Sequence, residues 1–262
     1  MAKRIVLIHG AFNSAACWDY FQGFFESRGY EVVAESWPHN QGTVEKLRND
    51  PDPKYKSVGV EEIVGHYEGI VKALDEPPII MGHSFGGLTT QILLDRGYGS
   101  VGVAIDSAPP KGVSGITVPA AKTVLPILLT PFGWKRLIRM SLEHFSTGWA
   151  HTLPPEEQKK QWEGYIVPTP GRPFFQNALA FSNNVTRVNF KNNDRAPLLL
   201  TAGSVDHAIP SKMVRDNFQK YQGSSATTAL KEFEGRTHWL IHEPGWEEVA
   251  TYAIEWAEEH AR

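Results

Sequence analysis

The sequence predicts an α/β protein with a mainly parallel sheet of about six strands, wrapped by helices and carrying a helical insertion. Short apolar runs alternate with stretches of helical periodicity, which is typical of a parallel sheet covered on both faces. A Gly-x-Ser-x-Gly pentapeptide, from Gly82 to Gly86, stands between one such run and a helix. The alternation is interrupted once, and the interruption divides the chain into a core, residues 1–110 and 193–262, and an insertion, residues 111–192.

The individual elements follow from local patterns. Apolar and alternating runs predict six strands, at residues 5–9, 30–35, 78–81, 101–105, 197–203 and 230–234. Helical spacing of apolar residues predicts helices at residues 15–28, 60–74, 87–94 and 244–260. The polar stretch from Pro38 to Ser57 predicts a long exposed loop. The insertion has helical patches and no convincing strand.

The pentapeptide Gly82-His83-Ser84-Phe85-Gly86 predicts a nucleophile elbow, because it joins an apolar strand to a helical run. In such a turn the serine adopts a strained backbone conformation, and side chains two positions away on either side would collide. Glycines at both positions remove that collision. Ser84 is therefore the predicted nucleophile, and His83, the variable residue of the turn, is predicted to be structural.

An acid and a histidine follow the serine in the order that this elbow requires. Asp206 comes after the predicted strand at 197–203, and parallel sheets form their sites at that edge. His238 comes after the last predicted strand. A serine hydroxyl is a poor nucleophile until a base removes its proton, and a histidine can do so near neutral pH. Asp206 is expected to hold the histidine tautomer and to stabilise the imidazolium.

The developing oxyanion needs two backbone N–H donors. We predict that one belongs to Phe85, which follows the nucleophile, and the other to Ala11, in the loop after the first strand. Phe12 is the less favoured alternative to Ala11. Gly10 allows the backbone of this loop to approach the site closely.

Other titratable residues provide alternatives. Asp106 also follows a predicted strand and is a second candidate for the acid, and His242 is a second candidate for the base. We predict instead that His242 packs beside the last helix. His144 and His151 lie in the insertion without spaced carboxylate or cysteine partners, so we expect packing or surface roles and no metal site.

The chain resembles the α/β-hydrolase-fold serine hydrolases over nearly its whole length. Four motifs carry the resemblance in order and spacing: His9-Gly10, the elbow, the Gly-x-x-Asp that ends at Asp206 and the Gly-x-x-His that ends at His238. The early His-Gly-Ala is similar to the branch that contains plant methylesterases and hydroxynitrile lyases. The elbow with His83 is similar to bacterial esterases and cofactor-free haloperoxidases. The resemblance implies an esterase-like serine hydrolase.

Residues that differ from the motifs of these families limit the reactions that we expect of this chain. Plant-type hydroxynitrile lyases carry Thr where Gly10 stands, and Lys after the catalytic histidine, where this chain has Trp239. Lyase activity is therefore not expected. Haloalkane dehalogenases and epoxide hydrolases of this fold carry Asp at the position of Ser84, so neither activity is expected. Hydrolases of C–C bonds share the triad and stay open.

The resemblance also places the insertion above the elbow, where it predicts a helical cap over the site. Its Trp, Phe and Pro content favours an apolar substrate, and we expect Phe12, Trp134, Phe174 and Trp239 to line the pocket. The expected function is cleavage of carboxylic esters of small, fairly apolar molecules through an acyl-enzyme on Ser84. The alternatives are hydrolysis of C–C bonds or thioesters, perhydrolysis, and a slow-turnover ligand receptor.

Composition argues against several other classes. A net charge of −3 provides no basic surface for nucleic acid. The longest apolar stretch, Ile116 to Phe132, is interrupted by Lys122 and three prolines, which predicts no membrane insertion. No signal-peptide pattern precedes the first strand, so a cytoplasmic location is expected. No dinucleotide fingerprint is present, so no cofactor is expected, and the sequence leaves the oligomeric state open.

Overall fold

The computed structural model describes residues 3–262, which contain eight strands. They are β1 (Arg4–Ile8), β2 (Glu31–Glu35), β3 (Ile79–His83), β4 (Val101–Ile105), β5 (Leu137–Ile138), β6 (Thr169–Pro170), β7 (Leu198–Gly203) and β8 (Thr228–Phe233). Six of them form one sheet in the order β2-β1-β3-β4-β7-β8, and every neighbouring pair is parallel. The predicted α/β fold with a parallel sheet of about six strands is therefore confirmed.

Ten α-helices surround the strands within the described residues. They are α1 (Asp19–Glu26), α2 (Val44–Asn49), α3 (Val60–Lys72), α4 (Phe85–Asp95), α5 (Val118–Leu128), α6 (Leu142–Gly148), α7 (Pro155–Tyr165), α8 (Arg172–Ala178), α9 (Ser211–Lys220) and α10 (Trp246–His260). None of the helices found in residues 3–262 combines the length and the apolar character that a bilayer crossing needs.

The centre of the sheet forms the core. Every residue of β3, β4 and β7 is buried, as expected for continuous apolar runs that are covered on both faces. The edge strands β2 and β8 are partly exposed. Helix α4 packs against β1, β3 and β4, and all its residues from Phe85 to Leu94 are buried. The helix that follows the elbow is therefore buried on all its faces.

The insertion differs from its sequence prediction in one respect. It contains α5 to α8, as its helical patches predict, but it also contains β5 and β6, which pair in an antiparallel ladder. Leu137 lies opposite Pro170, and Ile138 lies opposite Thr169. The predicted absence of strands is wrong for this ladder, because two residues are too short a run to show an alternating pattern.

The stretch from Pro38 to Ser57 is likewise not one irregular loop. It contains α2, and the hydroxyl of its N-cap residue Thr43 accepts a hydrogen bond from the Lys46 N–H (3.2 Å). Leu47 is buried and anchors the helix. A single buried apolar residue leaves no periodic signal, so polar composition alone predicted a loop here.

One edge of the sheet collects the predicted site residues. His9 directly follows β1, Ser84 follows β3 and Asp106 follows β4. Asp206 lies in the loop after β7, and His238 lies in the loop after β8. Because parallel strands end at the same edge of their sheet, these five residues converge although they are distant in sequence.

Two glycines allow the elbow to form. A Cβ added to Gly82 would lie 2.1 Å from the carbonyl oxygen of Gly86, and a Cβ added to Gly86 would lie 1.9 Å from the carbonyl oxygen of Ile8. Both contacts are with backbone atoms, which cannot move aside as a flexible side chain can. The strand-to-helix crossing is therefore restricted to glycine at both positions.

We expect Gly86→Ala to destabilise the protein by about 2 kcal/mol or more, because the added methyl group overpacks a backbone contact. Gly65→Ala is the matched control: Gly65 lies in the exposed part of α3, and a Cβ there meets nothing within 4 Å. The control should gain roughly 0.5–1 kcal/mol. Urea unfolding midpoints measure both changes, and equal midpoints for the two variants would contradict the assignment of Gly86.

Candidate active site

Ser84 occupies a strained turn between β3 and α4. Its backbone φ is 57° and its ψ is −119°, a region that non-glycine residues rarely adopt and that costs on the order of 1–3 kcal/mol. The surroundings hold it there. Its N–H donates to the Ile105 carbonyl (2.9 Å), and its carbonyl accepts the N–H groups of Leu88 (3.2 Å) and Ala108 (3.0 Å). The geometry is that of the predicted nucleophile elbow.

His238 and Asp206 are directly hydrogen-bonded. The distance from His238 Nδ1 to Asp206 Oδ2 is 2.7 Å, and both side chains are buried. The other carboxylate oxygen of Asp206 accepts the N–H groups of Ala208 (2.6 Å) and Ile209 (2.9 Å). A carboxylate held in this way keeps the proton of the neutral imidazole on Nδ1, so Nε2 carries the lone pair that a base needs.

Two aromatic side chains pack against His238. His83 Nε2 donates to the His238 carbonyl oxygen (2.9 Å), and the two imidazole rings have centroids 4.6 Å apart. Burial lowers the pKa of His83 well below its ordinary value, so this ring is a neutral donor. The Trp149 ring of the insertion lies edge-on to His238 at 4.8 Å. His83 thus holds the loop of His238, in agreement with the structural role that we predicted for it.

The loop after β1 lies against the nucleophile. A Cβ added to Gly10 would come within 2.7 Å of Ser84 Cβ and 3.4 Å of Ser84 Oγ. His9 Nδ1 donates to the Gly10 carbonyl (2.7 Å), while its Nε2 accepts the Trp37 N–H (3.0 Å). A trans peptide points its C=O and N–H in opposite directions, so the fixed Gly10 carbonyl also fixes the direction of the Ala11 N–H.

Both residues that we predict to be oxyanion donors lie at the cavity. Ala11 and Phe85 line the same cavity as Ser84. Phe85 is the first residue of α4, so its N–H has no acceptor within the helix. Burial lowers the pKa of His9 to about 4, and the neutral ring therefore retains the single N–H that anchors the loop. Phe12, the alternative donor, has a φ of 61° and also lines the cavity.

Asp106, the alternative acid, also lies close to the histidine. Its Oδ2 is 3.9 Å from His238 Nδ1, whereas the Asp206 oxygen is at 2.7 Å. Its Oδ1 accepts the N–H of Gly203 (2.9 Å). Burial, reinforced by the charge of Asp206, raises the pKa of Asp106 well above its ordinary range. Asp206 is therefore the direct hydrogen-bond partner of the histidine, and Asp106 is its buried neighbour.

A cavity of about 420 Å³ opens above Ser84 and His238. Most of the side chains that line it are apolar, and many belong to the insertion, especially to α5. Helix α5 contributes residues such as Val124, Ile127 and Leu128. The polar side chains in the lining are few: Ser84, Thr123, His144, Asn177 and His238. A concave, mainly apolar surface with a few convergent polar groups is the usual form of a small-molecule site.

Two of the four predicted pocket residues line this cavity and the other two do not. Phe12 and Phe174 line the cavity and pack on each other, with ring centroids 5.7 Å apart. Trp134 does not line it, because its ring lies on the outer surface against Phe175. Trp239 does not line it either. Its side chain is fully buried, and its Nε1 donates to Gln161 Oε1 (3.1 Å).

Some residues that line the cavity were not predicted from the sequence. Trp149, Met140 and Met213 line the cavity. The aromatic content of the insertion was the available signal for Trp149, but composition cannot tell which ring faces inward. Met213 lies on α9, a helix that the sequence prediction lacked, and its apolar side chain carried no motif.

The remaining histidines have other partners. His242 Nε2 donates to the Cys17 carbonyl (2.7 Å), and burial lowers the pKa of His242 to about 4. Its ring is therefore buried, neutral and engaged as a hydrogen-bond donor. His151 stacks on His207 with ring centroids 3.8 Å apart. His144 lines the cavity, and burial lowers its pKa.

One buried group of side chains has the spacing of metal ligands. Ligand atoms of His83, Asp106 and His238 lie within 4.8 Å of one another. Two of these side chains are already committed to hydrogen bonds, since His83 Nε2 donates to the His238 carbonyl and His238 Nδ1 to Asp206. We therefore interpret the group as part of a hydrogen-bond network, and the absence of a metal site stays a prediction.

The chain is similar to known proteins along most of its length. A sequence profile described as the alpha/beta hydrolase family matches residues 5–251. Tomato methylketone synthase I, solved with 2-tridecanone, has a TM-score of 0.73 at 17% identity, with 99% of each chain covered. A methylesterase from Arabidopsis has a TM-score of 0.72 at 14% identity, with 98% of this chain and 99% of that chain covered. At these identities the two structures show a shared fold.

One curated relative is similar over a shorter region. Norfluorocurarine synthase 1 from Strychnos nux-vomica is 28% identical over 103 residues. That match covers 39% of this chain and 37% of the relative's length.

Proposed function

Because this chain is an enzyme of the alpha/beta hydrolase family, we propose that it is a serine hydrolase that cleaves carboxylic esters of small, fairly apolar molecules. One observation carries the proposal. Ser84 and His238 line a single apolar cavity, and the His238 ring is hydrogen-bonded to Asp206 on the side away from its basic nitrogen. A nucleophile, a base and an orienting acid therefore meet where a substrate can enter.

In the proposed reaction, Ser84 Oγ attacks the ester carbonyl carbon while His238 Nε2 accepts the hydroxyl proton. The N–H groups of Ala11 and Phe85 stabilise the negative charge that develops on the carbonyl oxygen. His238 then returns the proton to the departing alcohol, which leaves an acyl group on Ser84. Water, activated by the same histidine, hydrolyses this acyl-enzyme and restores the free hydroxyl. The histidine and the two N–H groups act in both the acylation and the deacylation step. The bonds and protons balance without an external cofactor.

The cavity supports the apolar substrate class. Phe85 and Phe174 pack edge to face, with centroids 5.1 Å apart, and apolar side chains of α5 line the same cavity. A polar acyl group entering this volume would lose its water without gaining hydrogen bonds, which is unfavourable. An apolar acyl or alcohol group gains free energy from the same transfer.

We propose further that the insertion is the lid of this site. Residues of α5 and α8 line the cavity together with Ser84, so they lie within reach of a bound substrate. The core, residues 1–110 and 193–262, would then supply the reacting groups, and residues 111–192 would select the substrate. The methylesterase with the same fold agrees with an ester as the scissile group.

The nucleophile is tested by Ser84→Ala. We expect kcat on p-nitrophenyl esters to fall by roughly 10⁴-fold or more, and His238→Ala to cost about as much, because triad residues act as a unit. A fluorophosphonate probe should label the wild-type protein at Ser84 alone. The matched control is Ser107→Ala, since Ser107 is also buried and lies two residues after the neighbouring strand β4, but its hydroxyl accepts a hydrogen bond from Gln91. Labelling that persists in Ser84→Ala and disappears in Ser107→Ala would overturn the assignment.

The lid is tested by a pair of aromatic substitutions. Phe174→Ala enlarges the cavity next to Phe12 and Phe85, so the ratio of kcat/KM for long-chain over acetyl esters should change by roughly 10-fold. Trp134→Ala removes an aromatic ring of the same segment that lies outside the cavity, and it should leave that ratio within about 2-fold. If both variants changed the ratio equally, the cavity would not be the determinant of selectivity.

Metal independence is tested by chelation. The nitrogen atoms of His83 and His238 that carry protons are engaged by protein acceptors, so dialysis against EDTA should leave ester hydrolysis unchanged. The activity is compared before and after dialysis, and again after each of Zn²⁺, Mn²⁺ and Ca²⁺ is restored. A loss on chelation that one added metal reverses would contradict the proposed mechanism.

A further inference from the structure

Asp106 is a fully buried carboxyl group that the proposed reaction does not use. It directly follows β4 in a left-handed backbone conformation, with a φ of 43°. Its Oδ1 accepts the N–H of Gly203 (2.9 Å). Its Oδ2 has no hydrogen-bond donor among the described residues and lies 3.9 Å from His238 Nδ1. One oxygen is therefore anchored, and the other points into the site without a partner.

Asp106 and Asp206 face the same imidazole nitrogen, but they are not equivalent. Asp206 accepts three hydrogen bonds, from His238 Nδ1 and from the N–H groups of Ala208 and Ile209. Asp106 accepts one, from Gly203. Two buried carboxyl groups side by side do not both ionise, because their charges repel and neither is solvated. The group with more donors retains the charge, and the other retains the proton.

The other charged and titratable groups around Asp106 agree with this distribution. His83 is neutral, since burial lowers its pKa. Burial and the charge of Asp206 raise the pKa of Asp106, and the charge of Glu243 acts in the same direction. No Lys or Arg within residues 3–262 forms a salt bridge with Asp106, so apart from His238 no cation there stabilises a second negative charge.

We propose that Asp106 is a neutral carboxylic acid whose Oδ2–H donates to the carboxylate of Asp206, and that it is thereby a positioning residue for His238. When protonated, the otherwise unpartnered Oδ2 of Asp106 has a hydrogen-bond partner, because it can donate to Asp206. It also supplies Asp206 with a fourth donor, which restricts rotation of the carboxylate that orients the histidine. The positioning role rests on the proposed function of His238, whereas the protonation state does not.

The positioning role is tested with two variants. Asp106→Asn keeps both the hydrogen-bond acceptor and the hydrogen-bond donor, since its amide oxygen can accept from the Gly203 N–H and its NH₂ can donate to Asp206. It should retain kcat within about 3-fold of the wild type. Asp106→Ala removes the donor and should lower kcat by roughly 10- to 100-fold through loss of orientation. Circular dichroism shows whether each variant is folded. Folded Asp106→Ala with full activity would overturn the positioning role.

The pH dependence of kcat/KM tests the protonation state during catalysis. If Asp106 is neutral, Asp106→Asn removes no charge, and the midpoint of the pH–rate profile should stay within about 0.3 pH units of the wild type. If Asp106 is ionised, the substitution removes an anion next to the imidazole. The imidazolium would then lose its proton at lower pH, and the midpoint would fall by roughly one to three pH units. That fall would overturn the proposal.

Thermal unfolding tests the protonation state without any assay of activity. An unfolded carboxyl group ionises near its ordinary pKa of 3.8, whereas the pKa of folded Asp106 is raised well above it. Between those values the folded state binds one proton more, so the wild type loses stability as pH rises. Asp106→Asn has no such proton. Its melting temperature relative to the wild type should therefore increase from about pH 5 to about pH 8, by on the order of 2–5 °C.

The two readouts separate the hypotheses. A melting-temperature difference that stays constant or decreases with pH would mean that folded Asp106 is ionised, and the proposal would fail. If Ser84→Ala proves that the hydrolase function is wrong, the unfolding experiment still decides whether Asp106 keeps its proton. If ester hydrolysis is confirmed but the melting-temperature difference does not rise with pH, the proposed function is upheld and the proposal that Asp106 is protonated is wrong.

Discussion

The close approach of α4 to the ends of β1 and β3 is the constraint on which the site depends. At the crossing there is no room for a Cβ at Gly82 or Gly86, since each would lie about 2 Å from a backbone atom. At this crossing Ser84 adopts its strained backbone conformation, with a positive φ. The crossing also brings the loop of Gly10 against Ser84. The proposed nucleophile and the proposed oxyanion donors are therefore positioned by one packing contact, and the strain at Ser84 is held by the buried helix behind it.

Burial gives the surrounding polar groups their electrostatic character. His9 and His83 are both neutral because their rings are buried, so each acts as a fixed single donor to a backbone carbonyl. In a low-dielectric interior, hydrogen bonds of this kind are stronger than in water, and an unpaired charge is costly. The carboxyl groups of Asp106 and Asp206 follow the same rule. The site therefore contains many titratable side chains but few charges. In the proposed reaction, the charge that forms on proton transfer to His238 is balanced by the carboxylate of Asp206.

The parts of the site that sequence could predict are those with local patterns. Ser84 is marked by its flanking glycines, and Asp206 and His238 are marked by their positions after strands in a fixed order. The choice of acid could not be settled in this way, because Asp106 follows a strand equally well. In the structure, the distances of 2.7 and 3.9 Å to His238 Nδ1 separate the two. Pocket residues were predicted less well, since composition identifies aromatic residues such as Trp134 without giving the direction of a ring. Helices α2 and α9 were missed because their few apolar residues form no long periodic pattern.

Two backbone hydrogen bonds join the insertion to loops that carry proposed reacting groups, and this affects how substrate choice and rate would be related. The Trp149 carbonyl accepts the N–H of Trp239, next to His238 (3.1 Å), and the Val167 N–H donates to the carbonyl of Phe12, next to Ala11 (2.8 Å). The same segment supplies most of the apolar cavity wall. A displacement of the insertion that admitted a larger substrate would therefore also shift the loops of the proposed base and of the proposed oxyanion donor. For that reason, we expect substitutions of side chains that only fill the cavity, such as Phe174, to alter selectivity at little cost in rate, and changes in the backbone of the insertion to alter both together.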